Sequence, residues 1–272
     1  MSSFRHFLFF NLHFMILVST IDAELENKIK RPFNNSISAI LGVISILKQL
    51  EYFKDYKRKL ETAIGKERTK TLISMAAFIV SAGTNDFVVN YFGTPFRSRN
   101  YDIATYQQFL LQNVQQFIQK PPWVRPWLPP IGCMPIVITV TSGEANGQRR
   151  CVDSLSTVAL DYNQKLQNKL TAMDNSSSSA IYYADIYQPL NDMIQTPSQF
   201  VYAGFENVNC GCCGSGLVET TFMCDSRSSV CKNPSKYVFF DSVHPTEAAY
   251  SGICQMGFDR IFLLVFPFRI SK

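Results

Sequence analysis

AAFIVSAGTNDF, residues Ala76 to Phe87, opens on a short apolar run and closes on a polar tetrad led by glycine. An apolar run of this length that ends at a turn residue reads as a buried strand opening into a loop. Gly83 lets the chain turn sharply there. Upstream, residues 38–72 carry a helical pattern, with Ile44, Ile46, Leu47, Leu50 and Phe53 recurring in threes and fours among Lys and Glu. Downstream, Tyr106 to Ile118 reads as a helix, Pro135 to Val140 (PIVITV) as a second strand, and Ser154 to Met173 as a helix. Leu155, Val158, Ala159, Tyr162, Leu166 and Leu170 share one face of that last helix. Ala180 to Tyr187 reads as a third strand. YVFF before Asp241 reads as a short strand or a loop. Pro245 suits the first position of a closing helix that runs through Tyr250, Ile253 and Phe258.

Strands alternating with helices predict an α/β domain with a mostly parallel sheet. Such sheets bind ligands at the carboxyl ends of their strands. Gly83-Thr84-Asn85-Asp86 follows one such end, and Asp241-Ser242-Val243-His244 follows YVFF. No internal repeat or long linker interrupts the pattern, and the polar stretch 174–180 is too short to divide domains.

The 272 residues are 46% hydrophobic and 17% charged, which excludes a disordered chain. The net charge of +5 is scattered, without the dense basic stripe of a nucleic-acid surface. The amino terminus reads as a secretory leader over residues 1–23. Arg5 supplies the positive end, Phe7 to Val18 the apolar run, and Ala23 a small residue before the cut. That run is shorter than the ~20 residues of a membrane span, so no stable membrane insertion is expected. Residues 24–272 then form a single domain in the extracellular space. Secretion makes disulfides the expected state of the eight cysteines, though spacing alone does not fix their pairing. The CGCCG cluster, residues 210–214, matches no common zinc spacing and has no nearby histidine. Asn34 and Asn175 begin glycosylation sequons. Of the three histidines, His6 and His13 fall in the leader, which leaves His244 as the one imidazole of the mature chain.

Asp241 and His244 stand three apart. A neutral imidazole takes up and returns a proton near pH 7, and a carboxylate on its other nitrogen fixes the tautomer. Taken alone, the pair also fits a capping Asp and a surface His. Asn85, on a strand-end loop shaped by Gly83, offers an amide donor to a developing oxyanion, and alone it also fits an ordinary turn.

Together the motifs are more specific. SAGTNDF (residues 81–87) and DSVHPTEAAY (residues 241–250) resemble two conserved blocks of the GDSL esterase/lipase family within the SGNH hydrolases. The plant secreted branch is also resembled by LKQLEYFKDYKRKL, LPPIGCMP, RRCVDSL, IYYADIYQPLNDMI, GFENVNCGCCGSGL and KYVFFDSVHPTEAAY, so the resemblance runs from roughly Asn35 to Gly257. It implies a three-layer α/β/α flavodoxin-like fold and a serine nucleophile attacking a small ester or lipid. In that scheme His244 is the base, Asp241 its orienting carboxylate and Asn85 an oxyanion donor, and no metal or organic cofactor is implied.

Two blocks depart from the pattern: the first, with its Gly-Asp-Ser, and the second, with its oxyanion Gly, are both missing. The family's Gly-Asp-Ser, at the end of its first strand, occurs nowhere in the 272 residues, and neither does Gly-x-Ser-x-Gly. Gly214-Ser215-Gly216 falls in the cysteine-rich loop, and Ser242, between the Asp and the His, cannot easily face the imidazole. The expectation is a sheet missing its first strand or strands, and a chain with a base but no nucleophile, inactive as written. The alternative is a catalytically dead extracellular protein that binds acyl esters or another partner. The natural ester, the oligomeric state and the role of the apolar C-terminal run, residues 261–272, are not legible.

Overall fold

The computed structural model describes residues 14–19, 44–74, 77–118, 123–126, 128–141, 149–174, 181–199, 204–220 and 223–258. They form an α/β structure, rich in helix, with a small parallel sheet. The chain makes two compact units, one of residues 1–126 and 166–183, the other of residues 127–165 and 184–272.

In the first unit, β1 (Phe14–Ser19), β2 (Ala77–Ala82), β3 (Trp123–Pro126) and β4 (Ile181–Ala184) lie side by side in that order. β1 runs parallel to β2, from Phe14 opposite Ala77 to Ser19 opposite Ala82, and β2 runs parallel to β3. Residues 14–19 lie within the stretch read as a leader, and their backbone forms the strand beside β2. The long helical pattern resolves into α1 (Ile46–Ile64) and α2 (Lys66–Ser74). Gly65, at φ +84°, breaks it in the left-handed region that glycine tolerates. Ser45 caps α1, its side chain accepting the Lys48 N–H at 3.1 Å. A short α3 (Pro95–Ser98) precedes α4 (Ile103–Phe117), whose Asp102 cap accepts the Thr105 N–H at 2.7 Å. Tyr106, Leu110, Val114 and Phe117 recur at helical spacing and are all buried.

The second unit holds α5 (Pro135–Thr141), the first half of α6 (Asp153–Asp174), α7 (Tyr187–Gln195), β5 (Asn207–Gly211), β6 (Tyr237–Phe239) and α8 (Glu247–Ile253). Asn163 on α6 is fully buried. Its amide accepts the Leu128 N–H at 2.8 Å and donates to the Leu128 carbonyl at 2.9 Å, satisfying both backbone groups of that residue. Arg149 ties β5 to α5: its guanidinium donates to the carbonyls of Asn209 and Pro135 and to the Thr139 hydroxyl, at 2.9–3.0 Å. Disulfides join Cys133 to Cys151, Cys212 to Cys231 and Cys213 to Cys224, with Cys210 and Cys254 outside them.

Three sequence expectations are corrected. Pro135 to Val140 is helix α5, not a strand. Proline suits a first helical turn, and the Thr139 and Thr141 hydroxyls bond back to the carbonyls of Pro135 and Val137, four residues earlier. The third strand stops at Ala184, because Asp185 accepts the N–H groups of Tyr187 and Gln188 and so starts α7. The last helix begins at Glu247 with Thr246 as its cap, while Pro245 bridges back to Phe239.

Candidate active site

β6 carries the chain into a four-residue reversal, Asp241 to His244. Phe240 N–H donates to the His244 carbonyl at 2.7 Å, and Thr246 N–H to the Val238 carbonyl at 2.9 Å, so both ends of the reversal are tied. Pro245 keeps the preceding His244 out of helical geometry. Asp241 is 3% exposed and gathers three donors. One carboxylate oxygen accepts the backbone N–H groups of Val243 and His244 at 2.7 and 2.6 Å. The other lies 2.7 Å from His244 Nδ1. The imidazole is half exposed above this buried carboxylate.

The electrostatics follow from the contacts. Burial works against the charge of Asp241, but the His244 ring and the His244 and Val243 N–H groups outweigh it and lower the pKa. The hydrogen bond that the ring donates to Asp241 raises the His244 pKa against the opposing effect of burial, and the carboxylate's charge adds to the rise. With Nδ1–H donating to Asp241, the neutral ring carries its lone pair on Nε2. That is the arrangement of a general base whose tautomer is fixed from behind.

Neither serine near the pair is engaged by the imidazole. Ser242 is fully buried and its hydroxyl has no hydrogen-bond partner. Its backbone is gripped on both sides, the N–H donating to the Glu219 carbonyl at 2.7 Å and the carbonyl accepting the Ile136 N–H at 3.0 Å. Ser215 donates its hydroxyl to Glu219 at 2.8 Å. Glycines make room for the surrounding loop. A Cβ on Gly211 would lie 2.7 Å from the Asp241 carbonyl, and one on Gly216, at φ +73°, would lie 2.2 Å from the Gly211 oxygen.

Gly83 and Asn85 belong to the other unit. β2 ends at Ala82, Gly83 turns at φ +117°, and Asn85 precedes a π-helical turn, Asp86–Phe92. Asn85 is exposed, at the carboxyl end of β2, and makes no capping bond with its side chain. The residues that follow it are packed. Asp86 is fully buried, and its carbonyl accepts the Tyr106 hydroxyl at 3.2 Å. Phe87 meets Tyr106 edge-on and Tyr91 stacks on it.

The structure thus brings Asp241 and His244 together, and it carries Gly83 and Asn85 on a separate unit. Asn34 and Asn175 lie outside the described residues, as do His6, His13 and the apolar C-terminal run. Among the described residues, no group of three or more His, Cys, Asp or Glu could hold a metal ion. No helix among them is long and apolar enough to cross a membrane. The sequence reading missed Glu219 and Gly211. The only hint of either was the density of glycine and cysteine between residues 210 and 216.

Comparison with known proteins agrees with the motifs. A family model described as GDSL-like lipase/acylhydrolase matches residues 13–254. A GDSL esterase/lipase of Arabidopsis thaliana is 50% identical over 221 residues, covering 78% of this chain and 58% of that protein. Two others from the same plant are 35% and 37% identical over 237 and 227 residues, covering 85% and 80% of this chain and 65% and 61% of their own length. The chain therefore spans about three fifths of the length of the relatives it matches. On the match to most of its length, the chain belongs to the GDSL-like lipase/acylhydrolase family.

Proposed function

We propose that the protein is a secreted carboxylic ester or lipid hydrolase in design, with His244 as general base, Asp241 as its orienting carboxylate and Asn85 as an oxyanion donor, and that the 272-residue chain lacks the nucleophile. The observation that carries this is the 2.7 Å contact between His244 Nδ1 and a buried Asp241 oxygen. In the proposed reaction His244 Nε2 takes the proton of a serine hydroxyl as that oxygen attacks the ester carbonyl, then returns it to the departing alcohol. Asp241 stabilises the imidazolium formed in between. The Asn85 amide stabilises the oxyanion, by about 3–4 kcal/mol for one such donor. The cooperation of Asn85 with His244 rests on the family pattern. The three disulfides support the extracellular assignment, whereas the leader reading of residues 1–23 competes with the strand that residues 14–19 form beside β2. Nothing in the chemistry of this scheme calls for a cofactor, a metal or a nucleic-acid partner.

A nucleophile is worth about 10⁶ in turnover in a serine hydrolase, or about 8 kcal/mol. No Gly-Asp-Ser is present to supply it. The test is hydrolysis of a short-chain p-nitrophenyl ester by the secreted chain beside His244→Ala. Equal, background rates are expected, and turnover that His244→Ala abolishes overturns the missing-nucleophile reading. Fusing the chain to the portion of the 50%-identical relative that it does not cover is expected to give His244-dependent turnover. A folded, inactive fusion overturns the hydrolase reading. The Asp241–His244 contact without a Gly-Asp-Ser favours one second reading, an acyl-ester-binding protein without turnover. Tight binding of a non-hydrolysable acyl analogue by the unfused chain, beside an inactive fusion, would select it.

A further inference from the structure

We propose that Glu219 is a positioning residue for the Asp241–His244 pair, an inference that rests on the reading of His244 as the base. Glu219 lies in the loop between β5 and β6, which the Cys212–Cys231 and Cys213–Cys224 disulfides close. Its side chain folds back onto its own loop. One carboxylate oxygen accepts the Ser215 N–H at 2.8 Å. The other accepts the Ser215 hydroxyl at 2.8 Å and the N–H groups of Leu217 and Val218 at 3.3 Å each.

The loop is shaped around that carboxylate. Gly214, at φ +66°, leaves room where a Cβ would stand 2.6 Å from the Glu219 carboxyl carbon. Burial opposes the charge, but the donors from Ser215 and from the Glu219 and Val218 backbone hold the pKa down at about 2. The carboxylate is therefore ionised, and organises the turn, at every pH where the imidazole titrates.

With its side chain fixed this way, Glu219 has its carbonyl fixed too. That carbonyl accepts the Ser242 N–H at 2.7 Å, in the middle of the Asp241–His244 reversal. The Ile136 N–H holds the other side of the same residue. Cys212 and Cys213 donate to the carbonyls of Phe239 and Phe240, so the same loop also holds the strand that delivers Asp241. The effect is one of placement. The upward shift of the imidazole comes from its bond to Asp241 and from that carboxylate's charge. Glu219 keeps Asp241 where the bond can form.

The test is NMR titration of the His244 ring in the intact, disulfide-bonded chain, its signal assigned against His244→Ala. The parent is compared with Glu219→Ala, Glu219→Gln and Asp241→Asn. In Glu219→Ala the upward shift is expected to be lost, down to the value in Asp241→Asn, with helix content and disulfides unchanged. Glu219→Gln keeps an acceptor for the Ser215 N–H but turns an NH2 group toward the Leu217 and Val218 N–H groups, and is expected to titrate between the parent and Glu219→Ala. A parental titration in Glu219→Ala overturns the proposal. So does a Glu219→Gln variant whose titration falls while the Ser242 N–H keeps its hydrogen-bonded amide shift, since charge and not placement would then be the cause. Should Glu219→Ala fail to fold, Glu219→Asp, whose shorter side chain draws the carboxylate away from the Ser215, Leu217 and Val218 N–H groups, decides in its place: a lowered His244 titration is expected, and a parental one overturns the proposal. The readout is proton affinity, so it does not depend on turnover. An Asp241→Asn variant that titrates like the parent would instead refute the base reading itself.

Discussion

Replacing Gly211 by alanine tests whether close backbone packing, and not only the local turn, holds Asp241 in place. Gly211 ends β5, and its φ is not among the positive values, so alanine suits the local backbone. On that ground alone Gly211→Ala would stabilise the protein by about 0.4–1 kcal/mol, through a less flexible unfolded chain. The packing opposes it. The new Cβ would stand 2.7 Å from both the carbonyl carbon and the oxygen of Asp241 and 3.1 Å from its Cα, so main chain has to move. Overpacking of this kind costs about 1–3 kcal/mol. The net expectation is a loss of about 1–2 kcal/mol, or a melting temperature roughly 2–8 °C lower for a chain of this size. The displaced carboxylate should also let the His244 pKa fall. Thermal unfolding followed by circular dichroism, with an NMR titration of the imidazole, reads both. A variant as stable as the parent, with an unchanged titration, would show that close packing at Gly211 does not hold Asp241.

Three other outcomes are expected. Asn163→Ala strips both the N–H and the carbonyl of Leu128 of their partner in a buried setting, and should cost about 2–5 kcal/mol by urea unfolding. A cost below about 1 kcal/mol would mean that water replaces the amide. Ser242→Ala removes a buried hydroxyl that has no partner, so stability should hold or rise by up to about 1 kcal/mol with the His244 titration unchanged. A large loss would show that the hydroxyl is engaged. The ion pair should stabilise the fold most between about pH 4 and 6.5. The lowered Asp241 pKa gives stability that is lost as pH falls through it, and the raised His244 pKa gives stability that is lost as pH rises through it. The stability gap between parent and Asp241→Asn should therefore peak in that window, and a flat gap across pH would contradict the pairing.

The parts of this molecule that read directly from sequence are those set by near neighbours. Asp241 and His244 are three residues apart, and one tight reversal brings them together. The strand Ala77–Ala82 and its exit at Gly83 follow from an apolar run and a single glycine. The helix at Pro135 was hidden by its β-branched residues, because the threonine back-bonds and the docking of Ile136 against Ser242 are tertiary facts. β3 was hidden by the prolines around Trp123 and Val124, which a parallel strand of only four residues tolerates. α7 was hidden because Tyr187 seemed to continue the preceding strand, while Pro189 sits in the helix's first turn, where no donor is lost. Glu219 was out of reach altogether. It acts through a backbone carbonyl on a residue 23 positions away, a contact for which side-chain pattern carries no signal.

The proposed scheme gives this chain an oriented base without the Gly-Asp-Ser serine of its family. An alkyl fluorophosphonate, which phosphonylates serines activated by a histidine, puts that scheme to the test with peptide mapping by mass spectrometry. No adduct is expected on any serine of the folded 272-residue chain. An adduct that forms on one serine, and disappears in His244→Ala, would contradict the scheme and would name the nucleophile.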